Sequence, residues 1–242
     1  MTEALRIERA LPALAAVFDL DVSQLEAYAA NLESNGTFAS ELAGAARATP
    51  EFASANLVRA SDFRAFRSLL YVVTRACRPS VVVETGVLNG FGSAFILQAL
   101  QDESKGALHS VDRPPTESHI IAQGTTPLPA GKAPGWAIPD ALRARHELHL
   151  GAAEVVLPKL LARLSSIDVF LHDSDHAYAH VMFEVGLAWH YLVPGGALLV
   201  DNVEQNSAFV DFARGVGAKH CIVSSFDSPG RKWQTGVLVR PR

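Results

Sequence analysis

Cysteine is nearly absent from this chain: Cys77 and Cys221 are the two in 242 residues. They lie in apolar surroundings without metal-ligand spacing, so a disulfide framework is excluded and free buried thiols in a reducing cytoplasm are expected. Excess charge is also missing. Lys and Arg number 21 against 25 Asp and Glu, a net of -4, which gives no general attraction to nucleic acid or an anionic membrane. No apolar run approaches the roughly 20 residues that span a bilayer, and the N-terminus carries acids where a leader would carry basic residues. The dinucleotide fingerprint Gly-x-Gly-x-x-Gly is missing too. What is present is 49% hydrophobic and 19% charged residues, the composition of a globular protein long enough for one large α/β domain.

The chain is organised around residues 80 to 112. Val81 to Val83 is β-branched on both faces, as a strand covered by helices on both sides requires. A turn follows at Gly86-Val-Leu-Asn-Gly90-Phe-Gly92-Ser93, then an apolar helix, then a second strand ending in Asp112. Gly86 and Gly90 permit backbone angles and close ligand approach that a Cβ would obstruct. Glu84 precedes the first glycine, where it would repel a pyrophosphate but could accept a hydrogen bond from an amino or cationic ligand.

A second constellation spans residues 167 to 204. Two apolar strands, Ile167 to Leu171 and Ala197 to Val200, run into His172-Asp173-Ser174-Asp175-His176 and Asp201-Asn202-Val-Glu204. In an open α/β sheet, strands end at a common crevice, so these clusters are expected to face Gly86. Asp173, Asp201 and Asn202 offer two carboxylates and an amide oxygen, a donor set for a hard cation. Two other readings stand beside this one. Asp173 could cap the following helix, and His172, His176 and His180 recur every four residues as zinc ligands might.

The acid-x-Gly-x-x-x-Gly turn, with Asp112 after it, resembles the first motif of the class I S-adenosylmethionine-dependent methyltransferases. The second constellation resembles their metal-dependent O-methyltransferases, including a bacterial natural-product and sugar branch that Asp173-Ser-Asp-His176 matches residue by residue. The resemblance covers roughly residues 60 to 240. It implies a doubly wound, mostly parallel seven-stranded α/β sheet. It assigns Glu84, Gly86, Gly90, Ser93, Asp112, Ala152 and Asp173 to the cofactor, with Asp112 on the ribose hydroxyls. In relatives an acid after the third strand binds adenine; here Ala152 and Ala153 occupy that turn. Asp173, Asp201 and Asn202 are the implied ligands of a divalent metal, Mg²⁺ first, and His176 with Asp173 the catalytic residues. The expected substrate is a hydroxyl of a small molecule, with neither nucleic acid nor membrane as partner.

Residues 1 to 60 read as an N-terminal helical extension, a lid or homodimer contact, and 61 to 242 as the methyltransferase domain. Ser61 is the expected N-cap of the helix before the sheet. Residues 113 to 139 lose periodicity and hold Trp136, which reads as a mobile flap over cofactor and substrate. Pro194-Gly195-Gly196 reads as a turn, and an antiparallel hairpin closes the chain around Ser228-Pro229-Gly230. Phe209, Phe226 and Trp233 read as core before cavity lining. The rivals are a metal-independent methyltransferase, a relative recruited to another reaction, and a non-catalytic binding protein.

Overall fold

The computed structural model describes residues 7–49, 64–113, 128–226 and 232–242. Ser61, the first half of the expected flap and the turn at Ser228 lie outside them. Along the chain run α1 (Leu11–Phe18), α2 (Val22–Ser34), α3 (Gly36–Arg47), α4 (Arg64–Cys77), β1 (Val81–Thr85), α5 (Phe91–Asp102) and β2 (Ala107–Asp112). They are followed by β3 (His146–Leu150), α6 (Ala153–Leu164), β4 (Ile167–His172), α7 (Tyr178–Tyr191) and β5 (Leu192–Val200), then α8 (Ala208–Val216), β6 (Lys219–Phe226) and β7 (Lys232–Val239).

The strands form a seven-stranded sheet in the order β3-β2-β1-β4-β5-β7-β6. β1 to β5 are parallel, and β7 is inserted antiparallel between β5 and β6. The order reverses between β1 and β4, so a crevice opens there at the strands' carboxyl ends. Val82 and Val83 of β1 are fully buried on opposite faces; burial of each side chain contributes about 1.5–3 kcal/mol. One face packs against α1 to α5, through residues such as Leu14, Leu25, Leu69 and Leu97. The other packs against α6, α7 and α8, through Leu161, Val185 and Phe209.

Several local readings change. Residues 194–196 lie inside β5, whose pairing with β4 shifts register between Ile167 and Val169. A Cβ on Gly196 would lie 2.7 Å from the Asp168 carbonyl oxygen, so the irregular passage is held by close backbone contact. α1 to α3 share the core of α4 and α5. Their apolar residues are used within the chain, and none of them lines the cleft described below. Phe209 is core, seated against Gly236, where a Cβ would come within 2.5 Å of its ring. Both cysteines are free thiols, and burial pushes Cys77 up to about 12 and Cys221 up to about 11. Among the described residues no helix is long and apolar enough to cross a membrane.

Candidate active site

At the switch point lies an open cleft of about 720 Å³, floored by Thr85 and Gly86. One wall comes from the ends of β2 and β3, with Asp112, Gly151, Ala152 and Glu154; the other comes from the β4–α7 loop, with Asp173, Ser174 and His176. Backbone hydrogen bonds join the loops: Gly86 donates to Val111 (2.9 Å), Asp173 to Thr85 (3.0 Å) and Asp201 to His172 (2.9 Å).

Gly86 has φ +83, and a Cβ there would lie 1.9 Å from the Asp173 carbonyl oxygen. Its missing side chain therefore serves loop-against-loop contact, while its backbone still faces the cleft. Gly90, also left-handed, opposes Gly135 at 2.6 Å from a would-be Cβ. The ligand-approach role expected for Gly90 is corrected: its bare backbone meets the chain itself.

The β2–β3 wall is made largely of backbone. The Asp112 carboxylate accepts the Leu88 amide (3.0 Å) and so holds Leu88 at φ 48, a conformation costly for a leucine. Burial raises the Asp112 pKa, and the Leu88, Arg113 and Val87 amides oppose the rise. α6 begins at Ala153, with its N-terminal turn on the cleft. Gly151 to Ala153 present main chain and methyl groups, with the Glu154 side chain one step on.

Glu84 sits beneath the floor. It is almost wholly buried and absent from the cleft lining. One oxygen accepts from Ser93 (2.5 Å) and Ser110 (2.6 Å), and burial pushes its pKa up to about 7, opposed by those hydroxyls. Glu84, Ser93 and Ser110 thus form an internal brace between β1, β2 and α5.

The opposite wall is acidic and half-buried. Asp173 and Asp201 are hydrogen-bonded to each other; burial and then the mutual charge raise the Asp173 pKa well above the usual carboxylate range, with the Arg67 guanidinium as its counter-charge. Burial lifts Asp201 to about 6, although Thr235 donates to it at 2.9 Å. Asn202, at φ 54, hydrogen-bonds through Nδ2 to His176 Nε2 (2.9 Å). Asn202 Oδ1 and His176 Nδ1 are buried without a hydrogen-bond partner. Burial and then His172 lower the His176 pKa to about 4, so the ring is neutral at physiological pH.

A residue that sequence reasoning missed organises this wall. Glu184 of α7 is fully buried and accepts from Thr85 (2.5 Å), Ser174 (3.0 Å), His172 Nδ1 (2.6 Å) and His180 Nε2 (2.8 Å). These bonds overcome burial and hold its pKa near 2. The only signal was an acid in the middle of an otherwise apolar helix. The histidine spacing that could suggest zinc has another use in part, since His172 and His180 turn toward Glu184. Nor does Asp173 cap α7. The N-cap is Ala177, whose amide is taken by Asp175 (2.9 Å).

With this geometry in view, comparison with known proteins is informative. Residues 83–203 match a family described as a methyltransferase domain. The chain belongs to that family. It is a class I S-adenosylmethionine-dependent methyltransferase. Among solved structures the methyltransferase is similar to the O-methyltransferase TomG from Streptomyces achromogenes, involved in tomaymycin synthesis and solved with SAM. Identity is 19%, TM-score 0.54, and the match covers 83% of this chain and 89% of that one. An O-methyltransferase from Bacillus cereus in complex with SAH matches at 17% identity and TM-score 0.55, over 83% and 91%. The methyltransferase PaMTH1 from Podospora anserina, bound to SAH, matches at 14% and 0.53, over 86% and 88%. No curated protein sequence matches the chain.

In the methyltransferase, Gly86, Asp112, Ala152, Asp173 and His176 share the cleft, whereas Glu84, Gly90, Ser93, Asp201 and Asn202 stand behind its surface. Asp201 and Asn202 nonetheless meet Asp173 and His176 through the hydrogen bonds above. Residues 128–139 are docked onto the β1–α5 turn, with Gly135 donating to Leu88 (2.9 Å), Ala137 to Asn89 (3.0 Å) and Trp136 Nε1 to the Asn89 side chain (2.7 Å). This half of the expected flap is a buried buttress, with Ala137 and Ile138 in the core.

Proposed function

We propose that the enzyme transfers a methyl group from S-adenosylmethionine to a hydroxyl oxygen of a small acceptor, with a divalent cation at Asp173, Asp201 and Asn202 and His176 as proton acceptor. The observation that carries this reading is the half-buried Asp173–Asp201 carboxyl pair beside an unpartnered amide oxygen. Two acids set against each other at the edge of a cleft call for a proton or a cation between them. The residues therefore fit Mg²⁺. Such an ion lowers the pKa of a neighbouring hydroxyl.

The chain's own groups divide the remaining work. Asp112, fixed through one oxygen by Leu88, is assigned to the ribose hydroxyls, and the main chain at Ala152 to the adenine. Glu84 steadies the turn from below. Holding acceptor and methyl donor in line within the cleft can supply about 7–11 kcal/mol of barrier lowering. His176 is neutral and able to accept a proton, though burial makes it a weak base.

Asn202 decides which nitrogen of His176 works. With Nδ2 donating to Nε2, the ring carries its proton on Nδ1, and Oδ1 is left for the cation; a turned amide would free Nδ1 as the base and withdraw Oδ1. The metal and base roles thus compete at one side chain. A metal-independent reading is favoured by the same Asp173–Asp201 hydrogen bond, in which a shared proton already satisfies the pair. Turnover assayed by SAH release in chelator, then with Mg²⁺ restored, separates the two. Recovery on Mg²⁺ supports the cation, and full activity in chelator removes it. The cytoplasm remains the proposed location, resting on the free thiols. A homodimer loses its sequence argument, because the apolar N-terminal residues are spent on the chain's own core.

A further inference from the structure

A second group of ligand-type side chains lies at the outer edge of the sheet, apart from the residues of the cleft. Parallel pairing sets His109 of β2 beside Glu147 of β3 and Val111 beside His149. Alternation along a strand then places His109, Glu147 and His149 on one face. Their ligand atoms all lie within 4.8 Å of one another. His109 Nδ1 is 3.2 Å from one Glu147 oxygen and His149 Nε2 is 3.6 Å from the other. Neither contact has hydrogen-bond alignment, and both nitrogens are buried without a hydrogen-bond partner. The rings stack at 5.8 Å with a 20° interplanar angle.

Two alternatives account for less of this arrangement. A simple ion pair would align its donors on the carboxylate, yet both ring nitrogens stand near Glu147 without a hydrogen bond to it. Packing alone does not explain two buried nitrogens converging on one acid. Arg163 of α6 donates to Glu147 at 3.0 Å and keeps it ionised. Outer-shell donors of this kind orient metal-binding carboxylates.

We propose that His109, Glu147 and His149 bind a transition-metal cation, with Zn²⁺ the best match to a two-histidine, one-carboxylate donor set and solvent completing the coordination. The site is structural. It pins the edge strand β3 to β2 just before Leu150 leads into Gly151 and Ala152, so it stiffens the main-chain wall of the cleft. It is independent of the acid pair at Asp173 and of the methyl-transfer reading.

The test is titration of the chelator-stripped full chain with Co²⁺, read by visible absorption, then displacement by Zn²⁺, with thermal unfolding followed in parallel. The expected result is one equivalent of four-coordinate Co²⁺, read from its intense visible bands apart from any weakly absorbing six-coordinate Co²⁺ at the Asp173 acids, displaced by Zn²⁺, and a Zn²⁺-dependent rise in Tm. His149→Ala and Glu147→Gln should each weaken binding by at least the roughly tenfold that loss of an outer-shell partner alone can cost, and should abolish the rise in Tm. Circular dichroism verifies that both variants are folded. Asp173→Asn should keep the equivalent. No Co²⁺ uptake by the wild type at millimolar metal would overturn the proposal. So would an unchanged titration in both edge variants, or thiolate absorption showing that the cysteines bind the metal.

Discussion

The two walls of the cleft are built from opposite materials. The β2–β3 wall offers backbone, alanine methyl groups and two carboxylates: Asp112, already oriented by an amide, and Glu154 at the start of α6. The β4–β5 wall concentrates Asp173, Asp201 and His176, each half-buried, with His172 and, from behind, Glu184 fully buried. A main-chain wall suits a ligand of fixed shape that every turnover shares. A dense titratable wall is expensive to fold and is justified only where charge must be created or moved. The contrast fits the proposed division of cofactor recognition on the first wall from acceptor chemistry on the second.

The sharpest way to break this division is Asp173→Asn. Turnover should fall by about 10²–10³-fold, as when one preorganised polar group is lost from an active site, while SAH affinity changes less than about threefold. Stability at pH 7 should rise, because a buried carboxyl held against another acid is removed. Loss of SAH binding would merge the two walls. His176→Ala should cost about 10²-fold in turnover, the lower end of general-base contributions. Cofactor affinity should again be nearly unchanged in calorimetry.

Asp112→Ala probes the opposite wall. It should weaken SAH binding by roughly 10–100-fold, the value of a charge-assisted hydrogen bond and its orientation, with a smaller change in turnover at saturation. Glu184→Gln separates architecture from chemistry. Its pKa near 2 lies below the usual 4.5, so the carboxylate stabilises the fold above pH 4.5 and loses that contribution as pH falls through 2. The variant should lose about 3 kcal/mol at neutral pH, and its stability should vary less between pH 4.5 and 2 in denaturant titrations. Glu84 has the reverse sign. Its pKa is raised to about 7, so its favourable state is complete below pH 4.5 and is lost as pH rises through 7. Glu84→Gln should flatten the decline in Tm over that interval, with the smallest effect on turnover of the set.

The same contrast governs what could be read from the sequence. The parallel strands were legible as β-branched runs, and strand ends bearing Gly86, Asp112, Asp173 and Asp201 fell where a doubly wound sheet puts them. Glu184 was not legible, because a helix interior gives no sign of which polar groups will come to meet one acid. Gly90 was read as a ligand contact because its partner, Gly135, is brought in only by tertiary packing of a segment without periodicity. His109, Glu147 and His149 were hidden for a similar reason: strand register, not spacing along the chain, assembles them.

The most direct test is calorimetric titration of SAH into the chelator-treated wild type, Asp112→Ala and Asp173→Asn. The account predicts binding by the wild type, binding at least about tenfold weaker in Asp112→Ala and nearly unchanged affinity in Asp173→Asn. A folded wild type that binds no SAH, or an affinity lost with Asp173 and kept without Asp112, would contradict it.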